Sequence, residues 1–188
     1  MINSHHHERR FSGEADRLRR PERVALLEVE RVVELSIEGS RVKNLLDIGT
    51  GTGIFAEAFA MHKIQVTGID PNIELLEIAR AILPEAQFIK GIAEDIPFPD
   101  ESFDLVILIH VLHETDDMFK ALTEAKRVAR KRVIVLEWPY IEEEQGPPIE
   151  HRLKPEDIEK IASKAGFQVE KLKLKHMDYY RLIPMRAK

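Results

Sequence analysis

LLDIGTGTGIF, residues 45–55, is the stretch that decides the fold. Its first half is apolar, as expected of a buried strand, and Gly49, Gly51 and Gly53 then separate it from a helix-like segment. Glycines between a strand and a helix permit a tight turn and let the backbone approach a ligand at the helix N-terminus. The stretch therefore predicts a strand–turn–helix unit with a ligand-binding turn.

The spacing of these glycines differs from that of a dinucleotide-binding turn. The fingerprint G-x-G-x-x-G, counted from Gly49, requires a glycine at the position occupied by Ile54. Asp47 lies inside the apolar strand, where its carboxylate would be close to a pyrophosphate. Both features disfavour a nicotinamide oxidoreductase. A carboxylate at this place suits a ligand with a cationic amino group, although Asp47 could instead bond the amides of the loop.

Strand-like and helix-like segments alternate along the chain. The pattern predicts strands over 42–49, 65–70, 86–91, 103–109 and 132–138, and helices over 21–37, 53–63, 72–83, 116–130 and 155–166. Such alternation implies right-handed crossovers and a three-layer α/β fold with a doubly wound, mostly parallel sheet. Two more strands, 167–175 and 179–186, have too little chain between them for a helical crossover. They should form an antiparallel hairpin at one sheet edge, giving seven strands.

Composition and charge exclude several classes of protein. The 188 residues include no cysteine, which removes disulfides, thiolate zinc sites and cysteine nucleophiles. The net charge of −5 disfavours nucleic acid as a partner. The start of the chain is polar, without a secretory signal, and the longest apolar stretch, 105–112, is too short to span a bilayer. We therefore expect no membrane association and a cytoplasmic location.

Four blocks of sequence resemble, in order, the class I S-adenosylmethionine-dependent methyltransferases. The blocks are LLDIGTGTG (45–53), GIDPN (68–72), GIAEDIPFPDESFDLVILIHVLHE (91–114) and AGF (165–167). The third is similar to the segment that packs on the adenine in the ubiquinone/menaquinone methyltransferase-like (methyltransferase type 11) branch. The resemblance implies S-adenosyl-L-methionine as cofactor and a Rossmann-like fold. It also implies one methyltransferase domain over 1–188, with an N-terminal arm and helix (1–40) and a Rossmann-like core (41–188).

The resemblance places the cofactor at the carboxyl ends of strands one, two and four. Asp70 ends strand two about 20 residues beyond the glycines, where an acceptor-only carboxylate can take both ribose hydroxyls. Alternatively, Asp70 and the two residues after it only start the next helix. The implied cofactor-binding residues are Asp47, Gly49, Thr50, Gly51, Thr52, Gly53, Asp70, Pro71, Asn72, Ile92, Ala93, Glu94 and Ile109.

The adenine segment departs from the family pattern at one position. The family commonly has a polar residue followed by alanine where this chain has Ile92 and Ala93. The side chain of Ile92 cannot form a hydrogen bond to the exocyclic amine. The adenine contact therefore falls to backbone groups and apolar packing, or to Glu94 or Asp95.

Three residues are candidates for a catalytic base: His110 and His113 after strand four, and Glu137 at the end of strand five. A base is needed only if the methyl acceptor is a hydroxyl or an ammonium group. Either histidine could instead be a packed or helix-capping residue. The segment HVLHETDD (110–117) matches neither H-E-x-x-H nor H-x-x-E-H. The triplet His5–His7 could bind a metal ion, but we expect no functional metal site there or elsewhere.

Three segments are expected to set the acceptor: Phe11–Arg23, His110–Asp117 and Trp138–Arg152. They contain apolar side chains that could line a pocket, Phe11, Trp138 and Tyr140, and two groups that could meet an anion, His151 and Arg152.

A chain of this length has little room for a large cap, so we predict methyl transfer to a small-molecule acceptor. The alternative is a regulatory or interaction protein that binds S-adenosylmethionine without catalysis.

Overall fold

The computed structural model describes residues 15–186. Most of the N-terminal arm, including Phe11 and the triplet His5–His7, lies outside the described residues. Within residues 15–186, no helix is both long enough and apolar enough to cross a lipid bilayer.

A seven-stranded sheet forms the centre of the molecule. Its strands are β1 (Asn44–Ile48), β2 (Gln65–Asp70), β3 (Gln87–Lys90), β4 (Phe103–Ile109), β5 (Ala129–Glu137), β6 (Phe167–Lys173) and β7 (Asp178–Pro184). They are arranged in the order β3-β2-β1-β4-β5-β7-β6. The first five are parallel, and β7 pairs antiparallel with both β5 and β6. The predicted mostly parallel sheet with an antiparallel C-terminal hairpin is thus confirmed.

Helices cover both faces of the sheet. They are α1 (Ala15–Leu18), α2 (Pro21–Leu26), α3 (Val29–Ile37), α4 (Ile54–Met61), α5 (Ile73–Ile82), α6 (Met118–Val128) and α7 (Pro155–Lys164), with short 3-10 helices at Leu112–Glu114 and Ile149–His151. Alternate strand residues point to opposite faces, so Leu45 packs with α3, α4 and α5 while Leu46 packs with α6 and α7. The result is the predicted three-layer, Rossmann-like architecture.

The order of the strands determines where a ligand can enter. From β1 the chain proceeds to β2 and β3 on one side, whereas β4 leads to β5 on the other. Between β1 and β4 the order of connection reverses, and a crevice opens beyond the carboxyl ends of the strands at such a point. The sheet thereby places the ends of β1, β2 and β4 around one crevice.

The helix predicted over 21–37 is broken into α2 and α3. Glu28 lies at the break with a φ of 47°, in the left-handed region. Its carboxylate accepts hydrogen bonds from the backbone amides of Lys175 (2.7 Å) and His176 (3.4 Å) in the turn between β6 and β7. The apolar stripe continues across the break, with Leu27 on one side and Val29 on the other, so periodicity alone does not reveal it.

The predicted helix over 116–130 also ends early, because Ala129 already belongs to β5. Arg130 Nε lies 3.0 Å and Lys131 Nζ 3.3 Å from Asp104 Oδ1 at the start of β4. These two bases therefore tie β5 to β4 and do not lie in the last turn of the helix.

Candidate active site

A cavity of about 1090 Å³ lies at the carboxyl ends of β1, β2 and β4. Small-molecule sites commonly measure roughly 300–1,000 Å³. The first two helices and part of the segment between β5 and α7 also line it. The cavity brings together most predicted site residues: Asp47, Gly49, Thr50, Gly51, Thr52, Asp70, Pro71, Asn72, Ile92, Ala93, Glu94, Ile109, His110 and His113.

Two glycines of the turn after β1 have different roles. A Cβ on Gly49, whose φ is +65°, would lie 2.2 Å from Val111 Cγ2, so only glycine lets the loop after β4 approach this closely. Gly53, with a φ of +80°, immediately precedes α4 and faces Ala79 of α5, where a Cβ would lie 3.2 Å from the alanine Cβ. The structure thus places Gly53 at a helix contact and not in the cavity lining.

Asp47 is a buried carboxylate at the floor of the cavity. It is 2% exposed, and the Thr50 hydroxyl donates a hydrogen bond to its Oδ2 at 2.7 Å. Burial raises the pKa of Asp47 to about 7. The hydrogen bond from Thr50 opposes this shift, and the negative charge of Asp70 adds a smaller increase. A cation bound beside it would favour the ionised form.

Asp70 links the loops that follow β1 and β2. The amide of Gly51 donates to its Oδ2 at 2.9 Å, and the amide of Asn72 donates to its Oδ1 at 2.8 Å. Burial raises the pKa of Asp70, against these two hydrogen bonds. An ionised carboxylate offers about four acceptor positions, so two positions remain for a ligand. The alternative, that this segment starts the next helix, also holds in part. The Asn72 side chain caps α5 by accepting a hydrogen bond from the amide of Glu74 at 2.9 Å.

The adenine segment presents an apolar surface. Ile92 is 39% exposed and lines the cavity beside the buried Ala93. Glu94 Oε1 instead accepts hydrogen bonds from the amides of Asp116 (2.8 Å) and Asp117 (3.3 Å), which joins this segment to the start of α6. Asp95 is exposed and lies outside the lining. The arrangement offers packing for a flat, apolar ring.

His110 packs closely against its surroundings. Its ring is stacked on Trp138, with centroids 4.6 Å apart and 21° between the planes, and its Nε2 lies 3.2 Å from Met177 Sδ. Burial lowers the pKa of His110 well below its usual value, and the positive charge of Arg23 lowers it further. The imidazole is therefore a neutral group and a weak base.

His113 and Glu137 form a hydrogen-bonded pair. His113 Nδ1 lies 2.7 Å from Glu137 Oε2, and the His113 amide donates to Glu137 Oε1 at 3.2 Å. The Glu137 carboxylate is buried at the end of β5, behind the histidine and outside the cavity lining. Because an ionised carboxylate only accepts hydrogen bonds, it selects the tautomer that carries the proton on Nδ1. His113 Nε2 lies 3.9 Å from an oxygen of Glu114.

Arg23 on α2 is a cavity residue that the sequence did not single out. Its Nε is buried and has no hydrogen-bond partner among residues 15–186. Burial lowers the pKa of the guanidinium, only partly offset by the nearby carboxylate of Glu114. Four arginines lie between positions 17 and 23, and three of them, Arg17, Arg20 and Arg23, line the cavity. No spacing in the sequence distinguishes Arg23, whose Nε is buried, from the others.

The acceptor predictions have mixed outcomes. Trp138 and His151 line the cavity as expected, whereas Tyr140 is 38% exposed and outside the lining. The prediction that Arg152 could meet an anion is wrong, because its guanidinium is buried and bonds backbone carbonyls of its own loop.

Comparison with known proteins agrees with this geometry. Residues 46–136 match a family described as a methyltransferase domain. The demethylmenaquinone methyltransferase of Thermotoga maritima is 37% identical over 113 residues, covering 57% of this chain and 48% of that protein. The corresponding protein of Chlorobaculum tepidum is 37% identical over 95 residues, covering 50% of this chain and 39% of that protein. The chain thus spans about half the length, or less, of these curated relatives.

Solved structures share the fold over nearly the whole chain. A methyltransferase dependent on S-adenosylmethionine from Aquifex aeolicus superposes with a TM-score of 0.82 at 24% identity, covering 91% of this chain and 97% of that one. A possible histamine N-methyltransferase from Thermotoga maritima has a TM-score of 0.71 at 25% identity, covering 94% and 97%. Residues 46–136 are thus similar to a methyltransferase domain, and the chain has the fold of methyltransferases that depend on S-adenosylmethionine, with sequence similarity to demethylmenaquinone methyltransferases.

Proposed function

We propose that this protein transfers a methyl group from S-adenosylmethionine to a small acceptor molecule inside the cavity. One observation carries the proposal: the two carboxylates that flank the glycine turn, Asp47 and Asp70, share a single cavity with a histidine that a buried glutamate orients. We call the lining residues 47–52, 70–72 and 91–94 the cofactor half. The lining residues 110, 111, 113–115, 138, 144–147 and 151 are the acceptor half.

The cofactor half fits the charges of the proposed ligand. The two remaining acceptor positions of Asp70 suit the pair of ribose hydroxyls. Asp47 suits the ammonium group of the methionine part, since a neighbouring cation relieves the cost of ionising a buried carboxylate. Arg23, with its buried and unpartnered Nε, suits the carboxylate of the same ligand. The apolar side chain of Ile92 suits the face of the adenine.

The cofactor supplies a methyl group on a positively charged sulfur, which makes the methyl carbon electrophilic. When bound, the cofactor would supply this methyl group to a nucleophilic oxygen, nitrogen or carbon of the acceptor, with the electron pair of the broken carbon–sulfur bond kept on sulfur. The cavity walls contribute by holding the acceptor in line and by excluding water.

We assign the removal of the acceptor's proton to His113 and not to His110. Glu137 holds the His113 ring with the proton on Nδ1, so that Nε2 takes the acceptor's proton, and the carboxylate stabilises the resulting imidazolium. His110 is a poorer base because burial and Arg23 keep its pKa low. We propose that His110 forms part of the wall through its contact with Trp138.

The relatives suggest which acceptors to test first. Two of them are demethylmenaquinone methyltransferases, and one structural neighbour is a possible histamine N-methyltransferase. Reduced quinones and phenols carry a hydroxyl that must lose its proton, and amines are protonated at neutral pH, so both classes need a base.

The test uses purified protein stripped of carried-over cofactor. Calorimetry should show binding of S-adenosylmethionine and of its demethylated product. Incubation with radiolabelled S-adenosylmethionine and a panel of quinols, phenols and small amines should label at least one acceptor, with one demethylated cofactor formed per methyl transferred. Binding without transfer to any acceptor would favour the non-catalytic alternative. Absence of binding would contradict the assignment of the cofactor half.

A further inference from the structure

We propose that Arg152 is a positioning residue that holds residues 138–151 in place as the wall of the acceptor half. This inference rests on the proposed function, because it concerns the molecule that receives the methyl group. The segment between β5 and α7 contains only one short 3-10 helix, so regular hydrogen bonding cannot fix its conformation.

The guanidinium of Arg152 organises this segment from within. Its side chain is 1% exposed. Nε donates to the carbonyl of Pro147 at 2.9 Å, and Nη1 donates to the carbonyls of Pro139 (3.1 Å) and Ile141 (2.8 Å). Nη2 donates to the carbonyl of Gln145. One side chain thus satisfies four carbonyls spread over nine residues, which no other single residue type could do with the same fixed geometry.

The same guanidinium is linked to the aromatic wall. Its central carbon lies 5.7 Å from the ring centroid of Trp138, which is 5% exposed and stacked on His110. Gly146 lies against the indole of Trp138: a Cβ on this glycine would be only 2.7 Å from the ring. The loop therefore closes tightly over Trp138, and its conformation depends on contacts that Arg152 fixes.

The position of the loop assigns it to the acceptor and not to the cofactor. Four consecutive residues, 144–147, line the cavity together with Trp138. All four hydrogen bonds of Arg152 stay within its own loop, and none reaches the turns after β1 or β2. A preorganised wall reduces the entropy that a bound acceptor must otherwise lose in ordering it. Loosening the wall should weaken acceptor binding while the cofactor half keeps its geometry.

The experiment compares Arg152→Met and Arg152→Lys with the control Arg132→Met. Arg132 also binds backbone carbonyls, those of Ser36 (3.3 Å) and Glu38 (3.0 Å), but lies outside the cavity lining. Trp138 is the only tryptophan in the chain, so tryptophan fluorescence, excited at a wavelength that the tyrosines do not absorb, reports on the wall alone. Calorimetry with the demethylated cofactor measures the cofactor half. The acceptor panel described above provides KM and kcat.

Arg152→Met should make Trp138 at least about twofold more accessible to acrylamide quenching, since the carbonyls lose their common donor and the loop opens locally. The acceptor KM should rise about tenfold, whereas affinity for the demethylated cofactor should stay within about twofold. Arg152→Lys should behave similarly, because an ammonium cannot reproduce the planar fork. Arg132→Met should change neither Trp138 nor the acceptor KM.

Two results would overturn the inference: unchanged quenching of Trp138 in a folded Arg152→Met variant, or loss of cofactor affinity as large as the loss of acceptor affinity. If Arg152→Met fails to fold, Arg152→Lys provides the same readouts. Failure of the proposed function is recognised separately, since the parent protein would then label no acceptor. In that case increased quenching with unchanged cofactor affinity would still support Arg152 as the residue that positions the wall.

Discussion

The two halves of the cavity are built in different ways. In the cofactor half, Asp47 bonds a residue three positions away, and Asp70 bonds residues two and 19 positions away. In the acceptor half, His113 and Glu137 are 24 residues apart and His110 and Met177 are 67 apart. Contacts within and between the turns at adjacent strand ends fix the two carboxylates of the first half, whereas more distant segments assemble the second. Such a division would allow related proteins to use different acceptors while the cofactor half stays the same.

If this division is correct, substitutions in one half should leave the affinity of the other half intact. The largest expected effect belongs to the acceptor half. Replacing His113 with alanine should reduce turnover by roughly 10²-fold or more, because the acceptor's proton loses its base. The acidic limb of the rate–pH profile should disappear as well. Calorimetry should show unchanged affinity for the demethylated cofactor.

Two further variants sharpen this result. Glu137→Gln keeps the size of the side chain but removes its charge, and should reduce turnover by roughly 10- to 100-fold, as expected when a histidine loses its orienting carboxylate. His62→Ala changes a histidine on the surface, 3.7 Å from Glu30, and is the control. Full activity in a folded His113→Ala variant would show that positioning alone supports the reaction.

The next largest effect belongs to the cofactor half. Asp70→Asn should weaken binding of the demethylated cofactor about ten- to hundredfold, since hydrogen bonds to a charged group contribute roughly 1.5–3 kcal/mol each. The exposed Asp95, with Asp95→Asn, is the matched control outside the cavity.

The ribose assignment has its own test. A ligand analogue without the 2′ and 3′ hydroxyls should bind the parent protein and Asp70→Asn almost equally. If the substitution weakens both ligands to the same extent, Asp70 acts only through its bonds to Gly51 and Asn72.

Arg23 lines the cavity but belongs to neither half as defined, and its variant tests whether it serves the cofactor or the acceptor. Arg23→Gln should weaken binding of the demethylated cofactor by about tenfold, because the ligand's carboxylate loses a charged donor. Binding of 5′-methylthioadenosine, which has no carboxylate, should not change. Arg31→Gln on α3, where Arg31 bonds Glu34 at the surface, is the control. An equal loss of affinity for both ligands would show that Arg23 acts only through packing. A rise in the acceptor KM without any loss of ligand affinity would show that it belongs to the acceptor half.

The same division explains what could be predicted from the sequence. The mostly parallel sheet, its C-terminal hairpin and the glycine turn followed from alternating segments and from residues beside strand ends, whereas the place of the crevice followed from the family resemblance. Asp70 could be proposed because the last residue of β2 is a position with a local signature. His113, Glu137 and His110 were equivalent candidates, since only the folded chain shows which histidine meets the glutamate and which meets Met177.

The errors have physical causes in contacts and burial that sequence patterns do not register. Arg152 was predicted to face an anion, but the carbonyls of its own loop use the guanidinium. Arg23 has no sequence signal, because burial and not residue type distinguishes it from neighbouring arginines. The break at Glu28 depends on amides of a hairpin turn near residue 175, which helical periodicity cannot register.

The smallest expected effect concerns stability and contrasts Asp47 with Asp104. Both carboxylates are buried, at 2% and 4% exposure, at opposite ends of neighbouring strands. Burial raises the pKa of Asp47 to about 7. Burial alone would also raise the pKa of Asp104, but the amide of Lys43 and the charges of Arg130 and Lys131 hold it below its usual value. The carboxylate of Asp47 is thus unfavourable to ionise, whereas basic groups stabilise the ionised carboxylate of Asp104 at the other end of the sheet.

The sign of the pH dependence follows from these directions. Asp47 binds its proton more tightly in the folded chain, so its contribution to stability is present at about pH 4 and is lost as the pH rises towards about 7. Asp47→Asn should therefore raise the melting temperature of the cofactor-free protein at pH 8 by about 2–4 °C for each kcal/mol recovered. Asp104→Asn should lower it.

His110, whose pKa is lowered, has the opposite pH dependence, so the informative quantity is the difference in melting temperature between variant and parent from pH 4 to 8. Asp47→Asn should also bind the cofactor more weakly, since the ammonium group loses its counter-charge. A variant that is no more stable at pH 8, or that binds the cofactor as well as the parent, would show that Asp47 is not a strained group kept for the ligand.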